Sequence, residues 1–309
     1  MPVDEAAQSN PVPAPEARAL RLSMIATSIL AVLGLVWGLI SDAGAVLFIG
    51  IYLLASIVLV AVSMVALRTS STAPSAKYPF GRHAAIPLAV ALQGAALLGT
   101  VVYGLIQAIT VFIDGGSTAP PSALYGFGLV LAGASLVVLL LLRRSGATSP
   151  LTQAEVTVWR VRLVLALLLV VGGLLAQVVA PRLGGLADPI VVLGAGALII
   201  PQALTLVRGG GRELLEAAPD PRLQTNIEGA VATGMAEIAR TDAGRTLPTP
   251  SVRAAKLGQR LYVEVQFVVQ PDQWRIEDED AVRRAIATNL AMLAVDSWTT
   301  VSLTTDTGD

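Results

Sequence analysis

Through the first two-thirds of the chain, apolar residues neither alternate nor recur at a helical interval; they run on without interruption. Residues 19–40, 43–67, 84–113, 123–142, 161–180 and 189–207 are apolar around the whole circumference a helix would present. About twenty such residues cross roughly 30 Å of hydrocarbon as a helix, so this pattern predicts six membrane spans. Periodicity returns only after residue 212. Leu223, Ile227, Val231, Met235 and Ile238 recur at helical spacing, and Leu261, Val263, Val265, Phe267 and Val269 alternate as in a half-buried strand. Leu257-Gly258-Gln259 reads as the turn from a preceding strand over 251–255. Val282, Ile286, Leu290 and Leu293 mark a second helix, and 298–303 a final strand. The order α-β-β-α-β suits a small α+β sandwich with its helices on one sheet face.

Local signals divide the chain further. Residues 1–17, rich in Pro and Ala and without the basic start and cleavage pattern of a signal peptide, are expected to be a disordered tail. Ser149 and Pro150 combine an N-cap with a first-turn proline, which predicts that the fifth helix begins well before its apolar run. From there to Ala180 it would measure about 46 Å at the α-helical rise, longer than a bilayer core. Gly209-Gly210-Gly211 is expected to break the sixth helix. The expected organisation is therefore a tail over 1–17, a six-helix membrane domain over 18–208 and a soluble domain over 209–309.

Composition sharpens this. With 54% hydrophobic and only 14% charged residues, the chain lacks the polar surface to cover a soluble globule of its size. It has no cysteine, which removes disulfides and thiolate metal sites, and a single histidine, His83. The net charge of −1 says little, but its distribution says more. Arg18, Arg21, Arg68, Lys77, Arg82, Arg143, Arg144, Arg160, Arg208 and Arg212 fall on one side of the predicted spans and Arg182 alone on the other. Basic residues are retained in the cytoplasm, so both termini are expected there and the protein in the inner (plasma) membrane. No nucleophile elbow or paired carboxylates occur in the spans, which argues against an enzyme, and no basic stripe suggests nucleic-acid binding. No cofactor motif is present.

Three stretches carry a resemblance. Tyr78-Pro79-Phe80-Gly81-Arg82 precedes the third span, Ala187-Asp188-Pro189-Ile190 opens the sixth, and Leu214-Leu215-Glu216 with Pro219-Asp220-Pro221 leads into the soluble region. With six spans and a short C-terminal α+β region, the chain resembles the cation diffusion facilitator (cation efflux) family. The resemblance implies six transmembrane helices with a ferredoxin-like C-terminal domain, proton-coupled export of a monoatomic cation by alternating access, and dimers.

It also implies a tetrahedral metal site made by ligand pairs four residues apart on the second and fifth spans, since positions i and i+4 share a helix face. The equivalent positions here are Tyr52 and Ser56, and Val158 and Arg162, the latter pair placed by matching Glu155 and Trp159 to similar family residues. This set departs from a metal site. No Asp, Glu or His occurs between residues 43 and 67, and a divalent ion about 4 Å from the Arg162 charge would be repelled by about 8 kcal/mol at an effective dielectric of 20. Auxiliary sites are no richer, with Tyr78 and Arg82 before the third span and Gln266 on a strand. No metal ligand set is therefore expected. Tyr52 and Ser56 either offer hydroxyl oxygens to a weakly held ion or pack helices together; Arg162 either faces protein or snorkels to the surface. Gln93, Gln107, Gln177 and Gln202 either line a pathway or bond helices to one another, and His83 reads as a solvated loop residue. Two functions remain open: a secondary cation transporter of altered selectivity, or a transport-inactive subunit paired with a related, active transporter. Homodimer and heterodimer are both compatible.

Overall fold

The computed structural model describes residues 14–144, 150–178, 181–241, 247–270, 273–293 and 296–306. Among the described residues, six helices are long and apolar enough to cross a membrane: α1 (Ala14–Ser41), α2 (Gly44–Ser70), α3 (Ala85–Ile113), α4 (Pro121–Arg144), α5 (Pro150–Val178) and α6 (Ala187–Leu214). A helix satisfies its backbone donors and acceptors within itself, which hydrocarbon requires of any lipid-exposed span. α7 (Pro221–Thr241), β1 (Ser251–Leu257), β2 (Arg260–Val268), α8 (Ile276–Ala291) and β3 (Asp296–Thr304) follow in the expected order.

Two expectations need correction. The chain is helical from Ala14, so the part of the tail expected over 14–17 belongs to α1; residues 1–13 lie outside the described residues. Pro15 falls in the first turn, where its missing N–H removes no helical bond. Nor does the glycine triplet break α6, which runs through it to Leu214. A Cβ on Gly210 would lie 2.5 Å from the Pro87 carbonyl oxygen and 2.6 Å from the Ala91 nitrogen. Glycine there permits backbone-to-backbone contact with α3, and that packing outweighs the roughly 1 kcal/mol by which glycine weakens a helix. The helix stops five residues later than the triplet's start, at Leu214; Glu216 takes a left-handed φ of 53° and the Ala217 amide bonds back to the Arg212 carbonyl.

The chain forms two compact units, and the division runs through helices rather than at residue 208. One unit comprises the chain up to Ala61 with Ala95–Leu204; the other comprises Val62–Gly94 with Thr205–Asp309. In the first, α4 and α5 pack side by side and α1 lies against both. Its interior holds Ile49, Leu53, Phe127, Leu131, Trp159, Leu165 and Leu169, all fully buried. Asp188, at the head of α6, accepts hydrogen bonds from the amides of Gly44 (2.9 Å) and Ala45 (2.7 Å). These are first-turn donors of α2 with no partner inside their own helix, so a carboxylate caps them and complements the helix dipole.

In the second unit, β1 pairs antiparallel with β2 and β2 parallel with β3, with α8 as the crossover between the parallel pair. α7 and α8 cover one sheet face over Ile227, Val231, Leu261, Val263, Val265, Phe267, Val282, Ile286, Leu290 and Val301. Asp220 caps α7 by accepting from the Arg222 and Leu223 amides at 3.0 and 3.1 Å. In the β1–β2 turn, Gly258 takes the positive φ of 62° that glycine adopts without strain. Its amide donates to Glu213 at 3.2 Å, and a Cβ in its place would come within 2.4 Å of the His83 carbonyl oxygen. His83 is accordingly not the solvated loop residue expected: it is half-buried, and its Nδ1 has no hydrogen-bond partner. Desolvation, aided by the positive charge of Arg260 and opposed by Asp296, holds its pKa below the ordinary value. Phe80 meets Trp298 edge to face, ring centroids 6.3 Å apart.

Candidate transport site

One group of polar side chains in the first unit gathers where α1, α2 and α5 face one another. Ser23 and Thr27, four residues apart, share one face of α1; Glu155, Trp159 and Arg162, spaced by four and three, share one face of α5. The apolar interior forces these groups to find partners in each other, since a buried polar atom left unpaired costs about 1–3 kcal/mol. Trp159, wholly buried, donates from Nε1 to the Ser23 hydroxyl at 2.7 Å and to Glu155 Oε1 at 3.0 Å. Ser23 donates in turn to the same carboxylate oxygen. Arg162, only 3% exposed, donates from Nη1 to Thr27 Oγ1 at 2.7 Å, and its guanidinium carbon stands 4.5 Å from the centroid of the Trp159 ring. The Thr27 hydroxyl passes its own hydrogen to the Ser23 carbonyl at 2.9 Å.

Of the four expected positions, Tyr52 and Arg162 lie near enough to interact electrostatically. Tyr52 is buried and within electrostatic reach of the guanidinium, as is Glu155. Ser56 is turned to its own helix, donating to the Tyr52 carbonyl at 2.9 Å. Val158 lies one turn before Arg162, half-buried, and has no donor atom to offer. Arg162 does not snorkel. Its side chain is tied across to α1, with a carboxylate two turns away on its own helix and an aromatic face against it, contacts that a surface position would forfeit. Among the described residues, no three His, Asp or Glu side chains converge as a metal cage requires.

Three members of the cluster, Ser23, Thr27 and Glu155, escaped the sequence reading as functional candidates. The signal was present as two hydroxyls at i and i+4 in an otherwise apolar span, and as an acid two turns ahead of an intramembrane arginine. Of the glutamines, Gln93 donates to Ser63 at 2.8 Å and joins α3 to α2. Gln202 bonds to the Leu198 carbonyl of its own helix at 3.4 Å, and Gln107 lines a cavity elsewhere in the first unit.

Six apolar spans followed by a small α+β domain, with a polar cluster buried among the spans, define a multi-pass membrane protein built as a transporter. The cation efflux transmembrane domain matches residues 20–215, most of the chain, and the chain belongs to that family, whose members move metal cations across membranes and are not enzymes in the usual sense. No curated protein matches the chain closely enough to count as a relative.

Proposed function

We propose that this protein is a proton-coupled secondary cation transporter that has abandoned the divalent-metal site of its family, with Tyr52, Ser56, Val158 and Arg162 at the degenerate equivalents of the metal ligands. The observation that carries the reading is the Arg162 guanidinium, fixed by Thr27 and Trp159 at the fifth-span position. A permanent cation there, with the Glu155 carboxylate two turns away on the same helix, repels a divalent ion where a metal ligand would attract one. Selectivity then shifts to cations that do not need a tetrahedral ligand set. The charge asymmetry of the loops supports cytoplasmic termini in a plasma membrane.

The same fixed charge favours a second reading, a transport-inactive subunit that dimerises with an active relative and regulates it. Flux into proteoliposomes under an imposed proton gradient separates the two. The expected result is no protein-dependent movement of Zn, Mn, Fe, Co or Cd, together with collapse of the gradient on addition of a monovalent inorganic or organic cation. Divalent flux would sink the argument from Arg162. A gradient untouched by every cation, with folded protein, would leave the regulatory subunit, to be sought by co-purification of a metal-competent partner.

A further inference from the structure

The first unit also contains a cavity of about 770 Å³, where α2 and α6 begin and α3 ends. A volume of roughly 300–1,000 Å³ suits a small organic molecule and is far larger than a bare ion needs. Its walls are mainly apolar, with Leu47, Phe48, Ile51 and Val192 among them, and Tyr103 presents an aromatic ring. The charged residues lining it are Asp42, Asp114 and Asp188, and among the described residues no Lys, Arg or His lines it. These carboxylates are not equivalent. Asp188 is buried and spends both oxygens on the α2 amides. Asp42 accepts from the Thr118 hydroxyl at 3.0 Å and keeps lone pairs to spare. Asp114 is exposed, and among the described residues no side chain bonds to it.

We propose that this cavity binds an organic cation, a single ammonium-like or phosphonium-like charge carried on an apolar body. Charge complementarity selects the sign, because an apolar-walled space lined by three carboxylates, with no basic group among the described residues, disfavours an anion and gains little from a neutral guest. The apolar walls and the volume select the body, and the ring of Tyr103 can face the charge. Metal ions are disfavoured by the absence of converging ligands among the described residues. The proposal deepens the transport reading by naming a substrate class and rests on that reading for any consequence in flux, while binding itself stands on the cavity.

Gly99 supplies the decisive variant, since it lines the cavity and a Cβ built on it meets nothing within 4 Å. Gly99→Leu therefore adds bulk at the cavity wall from a position where the first side-chain carbon meets no neighbour. Titration calorimetry of tetraphenylphosphonium into the purified full-length protein in detergent is expected to show saturable binding, weakened about tenfold or more by Gly99→Leu and by Asp114→Asn, both variants melting as the parent does. Unchanged affinity in Gly99→Leu, equal affinity for neutral triphenylphosphine oxide, or no saturable binding at all would each overturn the proposal; the second outcome would mark a slot for lipid tails. Binding retained without cation-driven collapse of a proton gradient would sink the transport reading alone, and gradient collapse without binding would sink the cavity alone.

Discussion

Around Arg162 the chain answers its charges from within: the guanidinium meets Thr27, Trp159 and the field of Glu155, and the carboxylate meets Ser23 and Trp159. Around the cavity the arrangement is the opposite, with Asp114 unpaired among the described residues and Asp42 only partly satisfied beside open space. The first region is buried and most of its polar groups are consumed by one another, although the Arg162 Nε is left without a partner; the second is open and its charge remains available. A buried polar cluster with internal partners contributes to a defined packing of helices, whereas unpaired charge beside a cavity is a resource for a guest. The position that the family resemblance marks for ion binding is thus the less receptive of the two.

The comparison breaks most sharply at Arg162. Arg162→Leu is expected to destabilise the folded protein by about 1–3 kcal/mol, because the Thr27 hydroxyl would lose its donor and the half-buried Glu155 the nearby positive charge. Adding Glu155→Gln should recover part of that loss; a double variant as unstable as the sum of the singles, read from denaturant titration in mixed micelles, would show that the two charges do not act together. Asp188→Ala should cost about 1–2 kcal/mol by uncapping α2, with Asp188→Asn in between, on the same assay. Trp159→Phe, which keeps a ring beneath the guanidinium but removes the Nε1 donor, should cost about 1 kcal/mol. At Asp114, by contrast, replacement with Asn should leave stability within about 0.5 kcal/mol, and a larger loss would mean that this carboxylate is a structural group after all.

His83 sharpens the contrast from the second unit, where Nδ1 is buried without a partner. Its folded pKa lies below the ordinary histidine value, first through desolvation and then through Arg260, so the unfolded chain binds the proton more readily. Stability should therefore fall as pH drops below about 6.5 and level off once the folded histidine is itself protonated. Melting temperatures from pH 8 to pH 5 should show a shallower decline in His83→Gln; parallel curves would exclude His83 as the source.

The six spans and the α-β-β-α-β order were legible because their signals are local and repetitive. A bilayer demands unbroken apolar length, and a half-buried strand such as Leu261 to Phe267 must alternate. The cap at Pro219-Asp220-Pro221 was visible as a motif, though its role as acceptor for the Arg222 and Leu223 amides was not. Gly209-Gly210-Gly211 misled, because glycine marks both helix breaks and close helix contacts and only the presence of Pro87 and Ala91 distinguishes them.

By itself, then, the sequence determined that this chain has six segments long and apolar enough to cross a membrane, carries a small mixed domain and has no Asp, Glu or His between residues 43 and 67, since span length, alternation and residue identity require no knowledge of neighbours. Tertiary structure alone decided that Arg162 turns inward to Thr27 and Trp159 instead of snorkelling, that Asp188 caps a helix 143 residues before it in the chain, and that Asp42 and Asp114 share a cavity. Those outcomes depend on which helix faces meet. The partners come from segments far apart in sequence, and the cost of leaving buried polar groups unpaired, which chooses among the possible pairings, is set only once the helices have packed.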